Sequence, residues 1–190
     1  MLFLMDSEAS LIDRITLYKG DITQQQDVDA IVCTIHADLT LRGSLNKAVF
    51  QAAGQALDDD LLEHIVKPRA GDVFVLPGYD LPMPHIIFTV MPVWRDDFDR
   101  DDAYIVRSYR RAMETAHQMG LKRIAFPVLG TGHMGYPLER AARMAYRGIS
   151  DRIIGLLDEV RIVCNRDETF QMMGRRLQKN GWKAEGHVKV

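Results

Sequence analysis

Short apolar runs alternate along this chain with longer segments patterned at helical spacing, and that alternation restricts the fold more than any other feature. Val28–Thr34 is apolar without interruption after Asp29, as a strand buried on both faces would be. Ile15–Tyr18 reads as an edge or near-edge strand. Val73–Leu76 and His85–Val90 read as two strands joined through Pro77, Gly78, Pro82 and Pro84, and Arg123–Val128 and Val160–Cys164 as two more. Between them, Ser44–Ala53 carries the helical stripe Leu45, Ala48, Val49 and Ala52 with Gly54 as its stop, and Leu57–Val66 reads as a second helix ending before Pro68. An acidic loop, Asp96–Asp102, leads to a helix from about Ala103 to Met119. Pro137 suits the first turn of another, whose inner face is Leu138, Ala141, Ala142, Ala145 and Ile149. Thr169–Lys179 is the last helix, and the tail after Gly181 reads as frayed. Strands alternating with helices predict a three-layer α/β/α fold around a mostly parallel sheet.

The chain has 190 residues, which suits one domain (1–190, core about 14–180), and no repeat, low-complexity tract or linker divides it. A formal net charge of −2 gives no electrostatic reason to expect nucleic-acid binding. No apolar stretch approaches the ~20 residues that span a bilayer. The apolar Met1–Met5 is too short for a signal-peptide core, lacks a basic leader and is followed by Asp6 and Glu8, so a cytoplasmic protein without membrane partners is expected. Cys33 and Cys164 both lie in strand-like runs, where two buried thiols are favoured over a bridge.

Gly130-Thr131-Gly132-His133-Met134-Gly135 follows an apolar strand and precedes a helix. Glycines at such a turn let main-chain N–H groups approach a phosphate, and the helix start adds positive dipole character. A tight turn without a ligand is the alternative. A dinucleotide fold would place this motif after its first strand, with a second nucleotide-binding half to follow. Here the remaining chain allows one more strand and two helices, and that strand ends at Cys164-Asn165 rather than at a ribose-binding acid. Phosphate binding fits; dinucleotide binding by that route does not.

Four stretches, in register over about Thr16 to Lys179, resemble the macrodomain family. They are Gly20-Asp21-Ile22-Thr23 with Val28-Asp29-Ala30-Ile31-Val32; Gln51-Ala52-Ala53-Gly54; His85 to Trp94; and Ile124-Ala125-Phe126-Pro127 with the glycine loop and Gly135-Tyr136-Pro137-Leu138-Glu139. The resemblance implies a mixed, mostly parallel sheet between helical layers and ADP-ribose as the usual ligand. Asp21 then matches the acid that accepts from the adenine amino group, although an Asp after Gly also serves as a turn residue. The Ile22 N–H belongs to the same pocket. Gly130, Thr131, Gly132, His133, Met134, Gly135 and Tyr136 match the second phosphate loop, where Tyr136 either packs on the ligand or seals the helix start.

The chain departs from the family pattern at positions that handle the two ends of the ligand. Cys33-Thr34-Ile35-His36 stands where two asparagines flank two small residues, Leu41-Arg42-Gly43-Ser44 replaces a glycine run, and Leu45-Asn46 replaces a Val-Asp pair. In hydrolytic members the second asparagine positions the distal ribose and the acid helps activate water or the ribose. His36 can still donate or accept a hydrogen bond, whereas the neutral amide of Asn46 is no general base. Arg42 either meets a phosphate through its guanidinium fork or is a surface arginine. Met134 and Asn165 stand where aromatic residues often pack near the distal ribose and the adenine.

The six histidines show no i, i+4 pair and no cluster with carboxylates or cysteines at ligand spacing, so neither a metal nor a cofactor is expected. Arg107, Arg110, Arg111, Arg140, Arg143 and Arg147 read as solvated helix faces. Three functions stay open: a binding module for ADP-ribose or a related nucleotide, free or on an ADP-ribosylated protein; a hydrolase of ADP-ribose derivatives with His36 and Asn46 as its weak catalytic candidates; and an interaction protein whose pocket has decayed.

Overall fold

The computed structural model describes residues 11–39, 43–92, 97–132, 135–150 and 157–190. The apolar runs form β1 (Ile15–Lys19), β2 (Ala30–His36), β3 (Val73–Pro77), β4 (His85–Met91), β5 (Arg123–Pro127), β6 (Glu159–Cys164) and β7 (Val188–Lys189). The helical segments form α1 (Ser44–Ala53), α2 (Gln55–His64), α3 (Phe98–Gln118), α4 (Leu138–Ser150) and α5 (Asp167–Lys179). Among the described residues the strands make one sheet in the order β3-β4-β2-β5-β6-β1-β7. Only the β3–β4 pairing in it is antiparallel, so the expected mixed, mostly parallel sheet is what forms.

Alternation along each strand sends side chains to two cores. Ile15, Leu17, Ala30, Val32, Ile124, Phe126, Val160 and Ile162 face α3, α4 and α5. Ile31, Cys33, Ile35, Ala125 and Val163 face α1 and α2. Cys33 and Cys164 therefore lie on opposite faces of the sheet, both buried and both free. Burial pushes each thiol up to about 12. A disulfide-exchange reagent at pH 8 is expected to label neither in the folded protein and both after denaturant is added; rapid labelling of either without denaturant would contradict this burial.

Two expectations need correction. The tail after Gly181 is not frayed. Trp182 is 3% exposed, its indole N–H donates to the Ile15 carbonyl at 2.8 Å, and β7 pairs in parallel with β1. A single aromatic anchor and a two-residue strand leave no periodic signal to read. The acidic segment is also less of a loop than expected, because α3 begins at Phe98. Asp97 caps it by accepting from the Arg100 N–H at 3.2 Å, and Asp99 and Asp101 fall in its first turn, where acids complement the helix dipole. Among the described residues no helix is long and apolar enough to cross a membrane.

Candidate functional site

Parallel neighbours bring their carboxyl ends to one edge of the sheet, and in open α/β sheets that edge is where ligands bind. Here β2, β5, β6 and β1 are consecutive and parallel. Their exits carry, in that order, His36, the glycine loop, Asn165-Arg166, and Gly20-Asp21. At about 4.8 Å per strand spacing, Asp21 lies about 10 Å along the edge from the glycine loop, and the exit of β2 about 5 Å beyond that. The β6 exit ties the two together: the Gly20 N–H donates to the Cys164 carbonyl at 3.0 Å, and Arg166 donates to the Thr131 carbonyl at 3.0 Å.

Asp21 caps the short helical turn Ile22–Gln24. Its Oδ1 accepts from both the N–H and the hydroxyl of Thr23, at 2.8 and 2.9 Å. Oδ2 accepts from no described residue, and the Ile22 N–H donates to none. The turn role and an outward-facing acceptor thus coexist in one side chain.

Within the glycine loop the backbone polar groups can be assigned individually. Gly130 adopts φ +88°, a conformation that favours glycine. The Gly135 N–H closes onto the Gly132 carbonyl and the Tyr136 N–H onto the Gly130 carbonyl, each at 3.0 Å. Those two amides are therefore engaged inside the loop, while those of Gly130, Thr131 and Gly132 donate to no described residue. A Cβ added at Gly132 or Gly135 would meet nothing within 4 Å, so the loop has open space beside it. Tyr136 is 3% exposed and part of the α3–α4 core. Its hydroxyl lies 3.2 Å from the Arg140 Nε, which also pairs with Asp102 at 2.8 Å. His133 and Met134 lie outside the described residues, as does Arg42.

At the β2 exit, Gly43 precedes α1 at φ +92° with no side-chain cap. The first-turn N–H groups of α1, at Ser44 and Leu45, have no described acceptor, which makes that helix start an anion-friendly end. Asn46 behaves differently: it is 4% exposed and its Nδ2 donates to the Thr34 carbonyl at 2.7 Å, anchoring α1 to β2. His36 is half-buried at the end of β2, one strand from the glycine loop.

Some groups not singled out above lie on the sheet below this edge, toward the amino ends of the strands. Arg161 is buried within the apolar run Val160–Cys164, and Gln25 and Asp27 reach it from the segment after Asp21. A charged residue in a buried strand was the available signal, since such a group requires partners. The Asp27 carboxyl, hydrogen-bonded to Arg161, is held at about 2. Burial opposes ionisation of Glu159, but its hydrogen bonds to Arg161 win and lower its pKa. Both carboxyls thus favour the fold above the usual carboxylate range and lose that contribution progressively as pH falls below it, for Asp27 down to about 2. The expectation of no histidine–carboxylate grouping is also corrected. Asp60, Glu63 and His64 on α2 bring potential ligand atoms within 4.8 Å of one another, because i, i+3 and i+4 share a helix face. Glu63 and His64 are exposed, and Asp60 accepts from the Tyr79 hydroxyl at 2.6 Å. Arg107, Arg110 and Arg147 rim a hollow of about 390 Å³ between α3 and α4.

Comparison with known proteins gives one answer. Residues 32–145 match the family model described as Macro domain. The O-acetyl-ADP-ribose deacetylase of Salmonella typhimurium is 34% identical over 176 residues, covering 90% of this chain and 98% of that protein. Among solved structures, the Oceanobacillus iheyensis macrodomain with ADP superposes with a TM-score of 0.78 at 27% identity, covering 89% of this chain and 93% of that one. The Trypanosoma brucei macrodomain in complex with ADP-ribose gives 0.79 at 26% identity, covering 88% and 71%.

Proposed function

The chain belongs to the Macro domain family, and from that membership and the geometry of its sheet edge we propose that it binds ADP-ribose or a related adenine nucleotide diphosphate, free or attached to a protein. The observation that carries this reading is a set of polar groups on one edge that have no partner among the described residues. An acceptor at Asp21 Oδ2 and a donor at the Ile22 N–H stand at β1, and donors at Gly130, Thr131 and Gly132 stand at β5. An adenine at the first and a diphosphate at the second suit an extended ligand that continues toward the helix start at Gly43, Ser44 and Leu45. Paired anionic oxygens are favoured by main-chain N–H groups and by a helix N-terminus.

Titration calorimetry with ADP-ribose, ADP, AMP and NAD tests this directly. Heat with ADP-ribose and ADP is expected; heat with none of the four would favour a protein whose pocket has decayed. Asp21→Asn is expected to weaken every adenine ligand by about tenfold, the value of one hydrogen bond to a charged acceptor. Unchanged affinity would remove the adenine assignment.

A hydrolase of ADP-ribose derivatives is the second reading, supported by the deacetylase relative. Against it stands Asn46, whose amide has no basicity near neutral pH and is turned to the Thr34 carbonyl. We expect little or no removal of ADP-ribose from a mono-ADP-ribosylated protein. Robust turnover abolished by His36→Ala would reverse the order of the two readings.

A further inference from the structure

Arg161 sits where an apolar side chain would be expected. Its strand neighbours are Val160, Ile162 and Val163, all buried, and it is itself 2% exposed. Its guanidinium makes five contacts. Nε donates to Glu159 Oε1 at 3.0 Å, and Nη2 to Glu159 Oε2 and Asp27 Oδ2, each at 3.1 Å. Nη1 donates to Asp27 Oδ1 at 2.7 Å and to Gln25 Oε1 at 2.9 Å. The ring of Tyr18 lies under it, 5.7 Å away. Buried ion pairs are often no more stabilising than apolar residues of similar volume, so their best-attested use is to fix geometry.

The geometry fixed here leads to Asp21. Gln25 is 2% exposed, and its Nε2 donates to the Asp21 carbonyl at 2.7 Å. Arginine is a donor only, so Arg161 dictates which way the Gln25 amide faces: oxygen toward the guanidinium, NH₂ toward Asp21. The peptide joining Asp21 to Ile22 is planar, with its C=O and N–H on opposite sides. The same carbonyl accepts from the Gln24 N–H at 3.3 Å, the longer of its two bonds, and holding it from within the protein directs the Ile22 N–H away from Gln25. Next to it stands Asp21 Oδ2, with Oδ1 anchored by Thr23.

An acceptor beside a donor is a pattern that distinguishes purines. Adenine presents an amino donor at C6 and an acceptor at N1; hypoxanthine presents an acceptor at C6 and a donor at N1, the inverse. Building on the reading of this edge as an adenine site, we propose that Arg161, acting through Gln25, is the positioning residue that sets selectivity for adenine over hypoxanthine. It touches no ligand; it holds the peptide plane that does the discriminating.

The test compares ADP with inosine diphosphate by calorimetry on the native chain, Gln25→Met and Arg161→Met. Gln25→Met removes the link to Asp21 while leaving the ion pairs of Arg161 in place, so its fold is preserved independently of what Arg161→Met does. The native chain is expected to prefer ADP by about a hundredfold, as sites that hydrogen-bond a substrate reject analogues with mismatched groups. In both variants the preference should shrink to about tenfold or less, through weaker ADP binding at unchanged inosine diphosphate binding. A parallel loss of both ligands, or an unchanged preference in Gln25→Met, would overturn the inference and leave the adenine reading standing. A native chain that binds no ADP, or binds the two equally, would overturn both.

Discussion

Gly132→Val is expected to leave thermal unfolding unchanged while weakening ADP-ribose binding by about a hundredfold, the equivalent of one or two hydrogen bonds to a charged ligand. The protein has no objection to a side chain there. An added Cβ meets nothing within 4 Å, and the backbone of Gly132 lies outside the left-handed region that L-residues avoid. The turn is held by its carbonyl, which accepts from the Gly135 N–H, and by the neighbouring contacts of Thr131 with Val128 and Arg166. What a valine would block is the approach of a ligand to the amides of Gly130, Thr131 and Gly132, which donate to no described residue. Gly130 provides the contrast. At φ +88°, with an added Cβ placed 3.2 Å from both Ile105 Cδ1 and Tyr136 Cβ, its replacement strains the loop itself and should lower stability and affinity together. Unfolding curves and calorimetry on the two variants separate these effects. Native-like affinity in Gly132→Val would remove the phosphate cradle from the site.

That distinction was beyond the sequence, and the reason is physical. Periodicity reports which residues face a core, so six of the sheet's strands, its helices and the position of the glycine loop could be read in advance. It does not report which polar groups close onto one another. The literal Gly-x-Gly-x-x-Gly spacing treats its three glycines alike, yet the Gly135 amide closes onto the loop while those of Gly130 and Gly132 donate to no described residue. Asn46 reads as a substituted catalytic position until its partner, the Thr34 carbonyl, is known. The Gln25–Arg161 bond joins residues 136 positions apart, a pairing that only the β1–β6 register creates. Trp182 is similar: its burial depends on the Ile15 carbonyl waiting at the start of β1.

Tyr109→Phe is expected to be the more damaging change to the fold, by about 3 kcal/mol and about 10 °C in Tm, since it leaves the buried Leu129 N–H without its acceptor and the Pro127 carbonyl without this donor. Tyr109 has no exposed surface; its hydroxyl donates to the Pro127 carbonyl at 3.2 Å and accepts from the Leu129 N–H at 2.9 Å. Burial raises the pKa of the phenol, so it remains a donor through the accessible pH range. The ring packs 5.1 Å from that of Phe126, and Gly148 of α4 rests against its Cβ, where an added methyl would come within 2.6 Å. Three elements therefore meet at one side chain: α3, α4 and the end of β5. The phenylalanine ring preserves that packing and removes only the oxygen, so the loss measures the hydroxyl bridge rather than a cavity. Because the bridge joins Pro127 to Leu129 in the segment that leads into Gly130, the variant should also lose affinity for ADP-ribose and exchange the Leu129 amide proton faster than the native chain. A Tm within a degree or two of native, with Leu129 still protected, would mean that the strand end is held by its neighbours alone and that the glycine loop needs no anchor on α3.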